Sequence, residues 1–122
     1  TGDSINFGNG ATGLGAGTIT VSGTANSGSM TFASGSGAIV LSGGTITFVA
    51  NPTVTVNNAT NTIDSAIGGA ATSFTKAGTG TLVLGGANTY AGQTVVNAGT
   101  LAIAGGQSGT GAVTLNGGSV LD

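Results

Sequence analysis

Five side chains in this 122-residue chain could ionise for acid–base chemistry: the carboxyls of Asp3, Asp64 and Asp122, the amine of Lys76 and the phenol of Tyr90. Glycoside hydrolysis needs two carboxyls about 5 to 10 Å apart. Asp3, Asp64 and Asp122 are separated along the sequence by 61 and 58 residues. Without His, Cys, Glu or Arg, little remains for proton shuttling or oxyanion stabilisation, and no catalytic residue is assigned. Lys76 could form an isopeptide bond to an asparagine only if Asp64 stood beside it as the acid, so it is read instead as a turn lysine. Tyr90 could stack on a sugar, but a structural place at a turn between coils suits it better. The sequon Asn58-Ala59-Thr60 is an isolated triplet, and Gly8-Asn9-Gly10-Ala11-Thr12-Gly13 fits the dinucleotide pattern in a chain with 26 glycines, with no helix after it. Its turns lack the repeated aspartates of a calcium-loading roll, so neither metal nor cofactor is expected.

Composition narrows the class further. Charged residues make up 3% of the chain and the formal net charge is −2, so the clustered cations that nucleic acid binding requires are missing. Low charge and abundant glycine would fit disorder only with low hydrophobicity. Here 39% of residues are hydrophobic and the mean hydropathy is +0.41. Thr, Val and Ile, which suit pleated packed strands, fill the periodic runs, and a helical fold is not expected. No apolar run approaches the roughly 18 residues of a membrane span, so direct membrane insertion of this segment is not expected. The absence of Cys leaves no disulfide framework. Thr1 is not an initiator and Asp122 falls inside a repeat copy, as expected of a piece of a longer chain.

The elements that must position these residues are legible as a repeated phrase: Gly, a small hydroxyl residue, then two apolar residues one position apart. It begins at Gly17, Gly44, Gly80, Gly99 and Gly118. The last three copies start 19 residues apart, and the step from Gly44 to Gly80 is 36, close to twice that period. Short alternating runs are read at Ile5–Phe7, Thr18–Val21, Met30–Phe32, Ile39–Leu41, Ile46–Phe48 and Val54–Val56. They continue at Ile63, Phe74, Leu82–Leu84, Val95–Val96, Leu101–Ile103, Val113–Leu115 and Val120–Leu121. Gly-Gly corners separate many of them. The stretch from Gly37 to Ile46 reappears in class from Gly111 to Val120. Short strands that return with one hand and cannot pair as hairpins wind into a coil, each pairing in parallel with its copy one turn away. The expectation is an all-β fold, a right-handed parallel β-helix (β-solenoid) of about six coils of roughly 19 residues, with residues 1–122 forming one continuous solenoid domain.

The stretch from Lys76 to Leu101 resembles the passenger-associated repeat of bacterial autotransporters. The residues that carry the resemblance are Lys76, Gly78, Gly80, Leu82, Leu84, Gly86, Asn88, Tyr90, Gly92, Thr94, Val96, Gly99, Thr100 and Leu101. The resemblance implies a parallel β-helix stalk exported to the bacterial cell surface or secreted, normally followed by an outer-membrane barrel. The function expected is structural: a stalk or filament segment that spaces or presents other modules, with an adhesin-like role in view. Its expected partners are adjoining repeats of the same parent chain or further copies stacked end to end, because solenoid ends expose unpaired strands and neither end offers a cap. The alternative is a glycan- or ice-binding module using outward rows of Thr, Asn and Ser, among them Thr18, Thr20, Thr45, Thr47, Thr53 and Thr55.

Overall fold

The computed structural model describes residues 3–8, 13–69, 73–108 and 111–122. Among these, every regular element is a strand, and all twelve strand pairings are parallel. Among the described residues, no helix is long and apolar enough to cross a membrane. The G-x-G-x-x-G stretch falls largely on 9–12, outside the described residues.

The chain winds round three faces. Face one is built from β1 (Asp3–Phe7), the C-terminal part of β3 (Thr24–Phe32), β6 (Thr53–Val56), β9 (Phe74–Ala77), β11 (Thr94–Val96) and β13 (Val113–Leu115). Face two carries β2 (Gly17–Thr20), β4 (Ile39–Ser42), β7 (Thr60–Ile63), β10 (Thr81–Leu84), β12 (Thr100–Ile103) and β14 (Val120–Leu121). Face three begins with the N-terminal part of β3, continues through β5 (Thr45–Phe48) and β8 (Ala66–Gly68), and then narrows to single parallel bridges at Asn88 and Gln107. Six strands on face two make five full turns, against the six coils expected.

Nor is the period uniform. On face one, Ile5 pairs with Met30, Met30 with Val54, Val54 with Lys76, Lys76 with Val96 and Val96 with Leu115, steps of 25, 24, 22, 20 and 19 residues. Only the C-terminal turns keep the spacing read from the repeated phrase. The phrase at Gly44 masks this in the sequence: Thr45–Phe48 lies on face three, whereas the copies at Gly17, Gly80, Gly99 and Gly118 lead into face two. The 36-residue step therefore compares two different faces. The longer echo has the same origin. Gly43-Gly44 turns the chain from face two to face three and Gly117-Gly118 from face one to face two, with positive φ at all four residues. What recurs is a strand, a left-handed corner and a strand, a local module used at more than one corner.

Alternation along each strand sends every second side chain inward, and parallel pairing in register stacks these into columns. Leu82 sits on Leu101, and Leu84 on Ile103 and Ile63. Phe7 stacks on Phe32 with ring centroids 4.6 Å apart, and Phe48 on Phe74 at 5.5 Å. The resulting core includes Phe32, Val54, Val56, Ile63, Ile67, Leu82, Leu84, Val96 and Leu101, all at 0% exposure.

Candidate functional site

Four buried polar side chains, Ser36, Asn58, Asn61 and Lys76, lie at one corner, where face one turns into face two. A corner breaks the ladder, so some carbonyls face inward without a strand partner and must find donors elsewhere. Successive turns solve this differently. Ser36 donates its hydroxyl to the Phe7 carbonyl at 3.0 Å and accepts the Leu14 N–H at 3.1 Å. One turn on, Asn58 donates through Nδ2 to the carbonyls of Ser36 and Gly37, at 3.2 and 2.9 Å. It also exchanges amide hydrogen bonds with Asn61, whose Oδ1 accepts the Ile39 N–H at 3.0 Å. Above them, Lys76 donates through Nζ to the carbonyls of Ala77 (3.0 Å), Gly78 (2.8 Å) and Ala98 (3.1 Å). The spine ends at the surface with Asn116 Nδ2 donating to Asn97 Oδ1 at 2.8 Å and Ser119 Oγ to the Val96 carbonyl at 2.8 Å.

Lys76 is therefore a core residue, with 0% of its surface exposed, and not the turn lysine expected. It occupies an inward position of β9, between Val54 below and Val96 above. Three acceptors match the three N–H groups of an ammonium, two from its own turn and one from the next. Gly78 and Gly99 take positive φ, 78° and 67°, and admit the backbone close to the amine: a Cβ at Gly99 would lie 2.9 Å from Nζ. Asp64 lies at the opposite corner, between faces two and three, exposed and against Gly85. The lysine and the acid that an isopeptide bond would need are thus on different sides of the coil.

Burial pushes the Lys76 amine down from its ordinary 10.5 to about 8. The unfolded chain keeps the ordinary value, so between about pH 8 and 10.5 the folded protein binds fewer protons than the unfolded one, and stability rises with pH across that window. Denaturant melts between pH 7.5 and 9.5 are expected to show a slope approaching ~1.4 kcal/mol per pH unit, and Lys76→Met is expected to flatten it. A slope unchanged in that variant would place the titrating group elsewhere.

Tyr90 is also interior. At 1% exposure its ring packs against Phe74, centroids 5.8 Å apart and tilted by 60°, and its hydroxyl pairs with the buried Thr94 Oγ1 at 2.9 Å. It cannot present a stacking face to a sugar, and none of the four phenylalanines exceeds 7% exposure. Of the remaining signature positions, Leu82, Leu84, Val96 and Leu101 fill the columns. Gly80 and Gly86 sit where a Cβ would meet Asn58 O at 1.9 Å and Ser65 O at 2.3 Å. Asn88 points into the core of face three with no protein partner for either amide atom, as does the hydroxyl of Ser65. Thr100 faces outward, in register with Thr81 and Thr60.

Sequence reasoning missed the inward polar residues. Asn61 and Lys76 occupy the apolar phase of their strands, and the signal was the alternation itself: Asn61 stands between Thr60 and Thr62, two residues before Ile63. The six threonines picked out as rows are distributed over three faces: Thr18 and Thr20 on face two, Thr45 and Thr47 on face three, Thr53 and Thr55 on face one. The apolar recess lined by Ile5, Phe7, Ile19, Val21, Met30 and Ile46 is the interior of the first turn. Among the described residues, no three His, Cys, Asp or Glu come together.

The comparisons with known proteins bear on the same stretch. Residues 74–103 match the family described as passenger-associated-transport-repeat. Over 81 residues, 66% of this chain, the sequence is 41% identical to the adhesin BmaC autotransporter of Brucella suis biovar 1 (strain 1330), of which the matched part is 2% of the length. No solved structure gives a significant match. The matched window opens at Phe74, encloses the Lys76 cage and Tyr90, and closes with Ile103 at the end of β12; it spans more than one turn of the coil, holding both β9 and β11 of face one and both β10 and β12 of face two. Residues 74–103 are thus a passenger-associated repeat of the autotransporter kind, and the chain around them is similar to an autotransporter adhesin.

Proposed function

We propose that the chain is a length of stalk in a surface-displayed or secreted autotransporter passenger, whose work is to hold other modules at a distance. The observation that carries this reading is the unbroken parallel register on face two from Gly17 to Leu121, which makes the segment a rod of about 24 Å at ~4.8 Å per turn. Its exterior supports a passive role. The only cation of the chain is buried, Tyr90 and the phenylalanines are inside, and side chains on the outer rows are short. The inward columns run out to Leu115 and Leu121, 46% and 41% exposed, where an adjoining repeat or a second copy stacks by continuing the same ladder.

A solenoid tolerates loss of a whole turn far better than loss of part of one. Thr81 is in register with Thr100, so excising residues 81–99 joins Gly80 to Thr100 and restores the phrase Gly-Thr-Leu. In the parent passenger displayed on cells, this deletion is expected to leave display and adhesion intact, shortening the rod by one turn. Loss of adhesion with display retained would favour the binding alternative and overturn the stalk reading.

A further inference from the structure

Lys76 is out of character in its column, where Ile5, Met30, Val54, Val96 and Leu115 are all aliphatic. A buried charge is poor value for stability, since an apolar residue of similar volume generally serves as well or better. We infer that Lys76 is a register key, fixing which residues of the β11–β12 turn stack on the β9–β10 turn. A slip of one residue needs no such guard, because it would turn every inward side chain outward. A slip of two keeps the faces: Leu84 would sit on Leu101 in place of Ile103, while Leu82 would give up Leu101 and face Gly99, so burial is weakened but the strands can still pair. The ammonium adds a directional penalty. Its third acceptor, the Ala98 carbonyl, and the side-chain-free position at Gly99 occur at one register only. A slip of two brings Asn97 or Leu101 to the place of Gly99, adding a Cβ where one would stand 2.4 and 2.6 Å from the carbonyls of Gly80 and Gly78 and 2.9 Å from Nζ, so the amine adds to a clash that the backbone already makes. The joint between Ser36–Gly37 and the turn above is directional in the same manner: Asn58 donates to the two corner carbonyls, and Asn61 accepts the Ile39 N–H.

The chain has no cysteine, so introduced pairs report register cleanly. Val83 faces Ala102 across neighbouring strands, about 4.8 Å apart, whereas Thr100 lies on the diagonal, about 8 Å away and beyond the ~7 Å over which a disulfide closes without backbone movement. With Lys76 in place, Val83→Cys with Ala102→Cys is expected to oxidise and Val83→Cys with Thr100→Cys to stay reduced. In the Lys76→Met background the oxidised fraction of the second pair is expected to rise about tenfold, corresponding to roughly 1.4 kcal/mol of lost discrimination. A folded Lys76→Met protein, shown by a cooperative melt, whose second pair oxidises no more than in the parent would overturn the inference. Should Lys76→Met not fold, Lys76→Ala with added n-propylammonium or n-propanol decides. Recovery of the Val83–Ala102 disulfide with the ammonium alone supports the key; equal recovery with both, or recovery with neither, refutes it.

Discussion

Phe74→Ala is expected to cost about 3–5 kcal/mol, the largest loss from any single truncation in this chain. The ring is 1% exposed, lies 5.5 Å from Phe48 below and 5.8 Å from Tyr90 above, and rests under Thr94 in the register of face one. It therefore joins three consecutive segments of the winding. Removing it leaves a cavity that strands cannot close, because their spacing is fixed by ladder hydrogen bonds on either side. It also strips Tyr90 of its packing partner while the Tyr90 hydroxyl stays tied to Thr94. In a solenoid, stability is approximately a sum over turns and their interfaces. The loss therefore falls on the joints around β9, and guanidinium melts are expected to broaden or split as the turns on either side unfold apart. Phe7→Ala, which truncates the 7%-exposed outer ring of a single stacked pair, is expected to cost less and to leave one transition. Equal losses for the two variants would mean that Phe74 does not join turns as argued.

The contrast between these two rings also shows what was legible before the structure. Apolar alternation identified both as inward, and identified the strands of faces one and two, because Val, Ile, Leu and Phe two residues apart leave one reading. Face three was largely hidden. Its β8 is Ala66–Gly68, and the N-terminal part of β3 reads Thr-Ala-Asn-Ser, so there is too little apolar contrast to mark a strand. Their conformation is imposed by the ladders to Ile46 and Thr45 rather than by their own composition. The period was misjudged for a related reason. The Gly-Gly corner module at Gly43–Gly44 looks locally like the one at Gly117–Gly118, and local resemblance does not tell one corner of the coil from another.

Lys76 was hidden more deeply. A lysine two positions before Gly78 reads as a turn residue, and nothing in the sequence announces that three carbonyls converge on its amine. One of these, from Ala98, arrives from the next turn, so the cage exists only once 22 residues of winding have brought it back. The family pattern contained the clue in the pairing of this lysine with Gly78, Gly80 and Gly99. These are the positions at which a side chain would collide with corner carbonyls: Val56 O at 2.3 Å, Asn58 O at 1.9 Å and Gly80 O at 2.4 Å, respectively. The signature is thus a description of one joint between turns, written as spacing.

Three glycine substitutions separate the effects that make this joint sensitive. Gly106→Ala places a methyl in open space at an ordinary φ and is expected to change stability by less than about 1 kcal/mol. Gly23→Ala meets nothing within 4 Å but has φ of 68°, so it should lose only the left-handed backbone penalty of about 1–2 kcal/mol. Gly99→Ala combines a φ of 67° with contacts of 2.4 and 2.6 Å to the carbonyls of Gly80 and Gly78, and of 2.9 Å to Nζ of Lys76. Backbone on two sides cannot yield cheaply, and the amine can retreat only by giving up the Ala98 carbonyl, leaving a buried acceptor unpaired at roughly 1–3 kcal/mol. Gly99→Ala is therefore expected to exceed Gly23→Ala by at least ~2 kcal/mol and to speed hydrogen exchange at the amides that β12 donates to β10, including Thr100 N–H to the Gly80 carbonyl. If Gly99→Ala and Gly23→Ala melt together, the close approach carries no energy, and backbone conformation alone accounts for glycine at this corner.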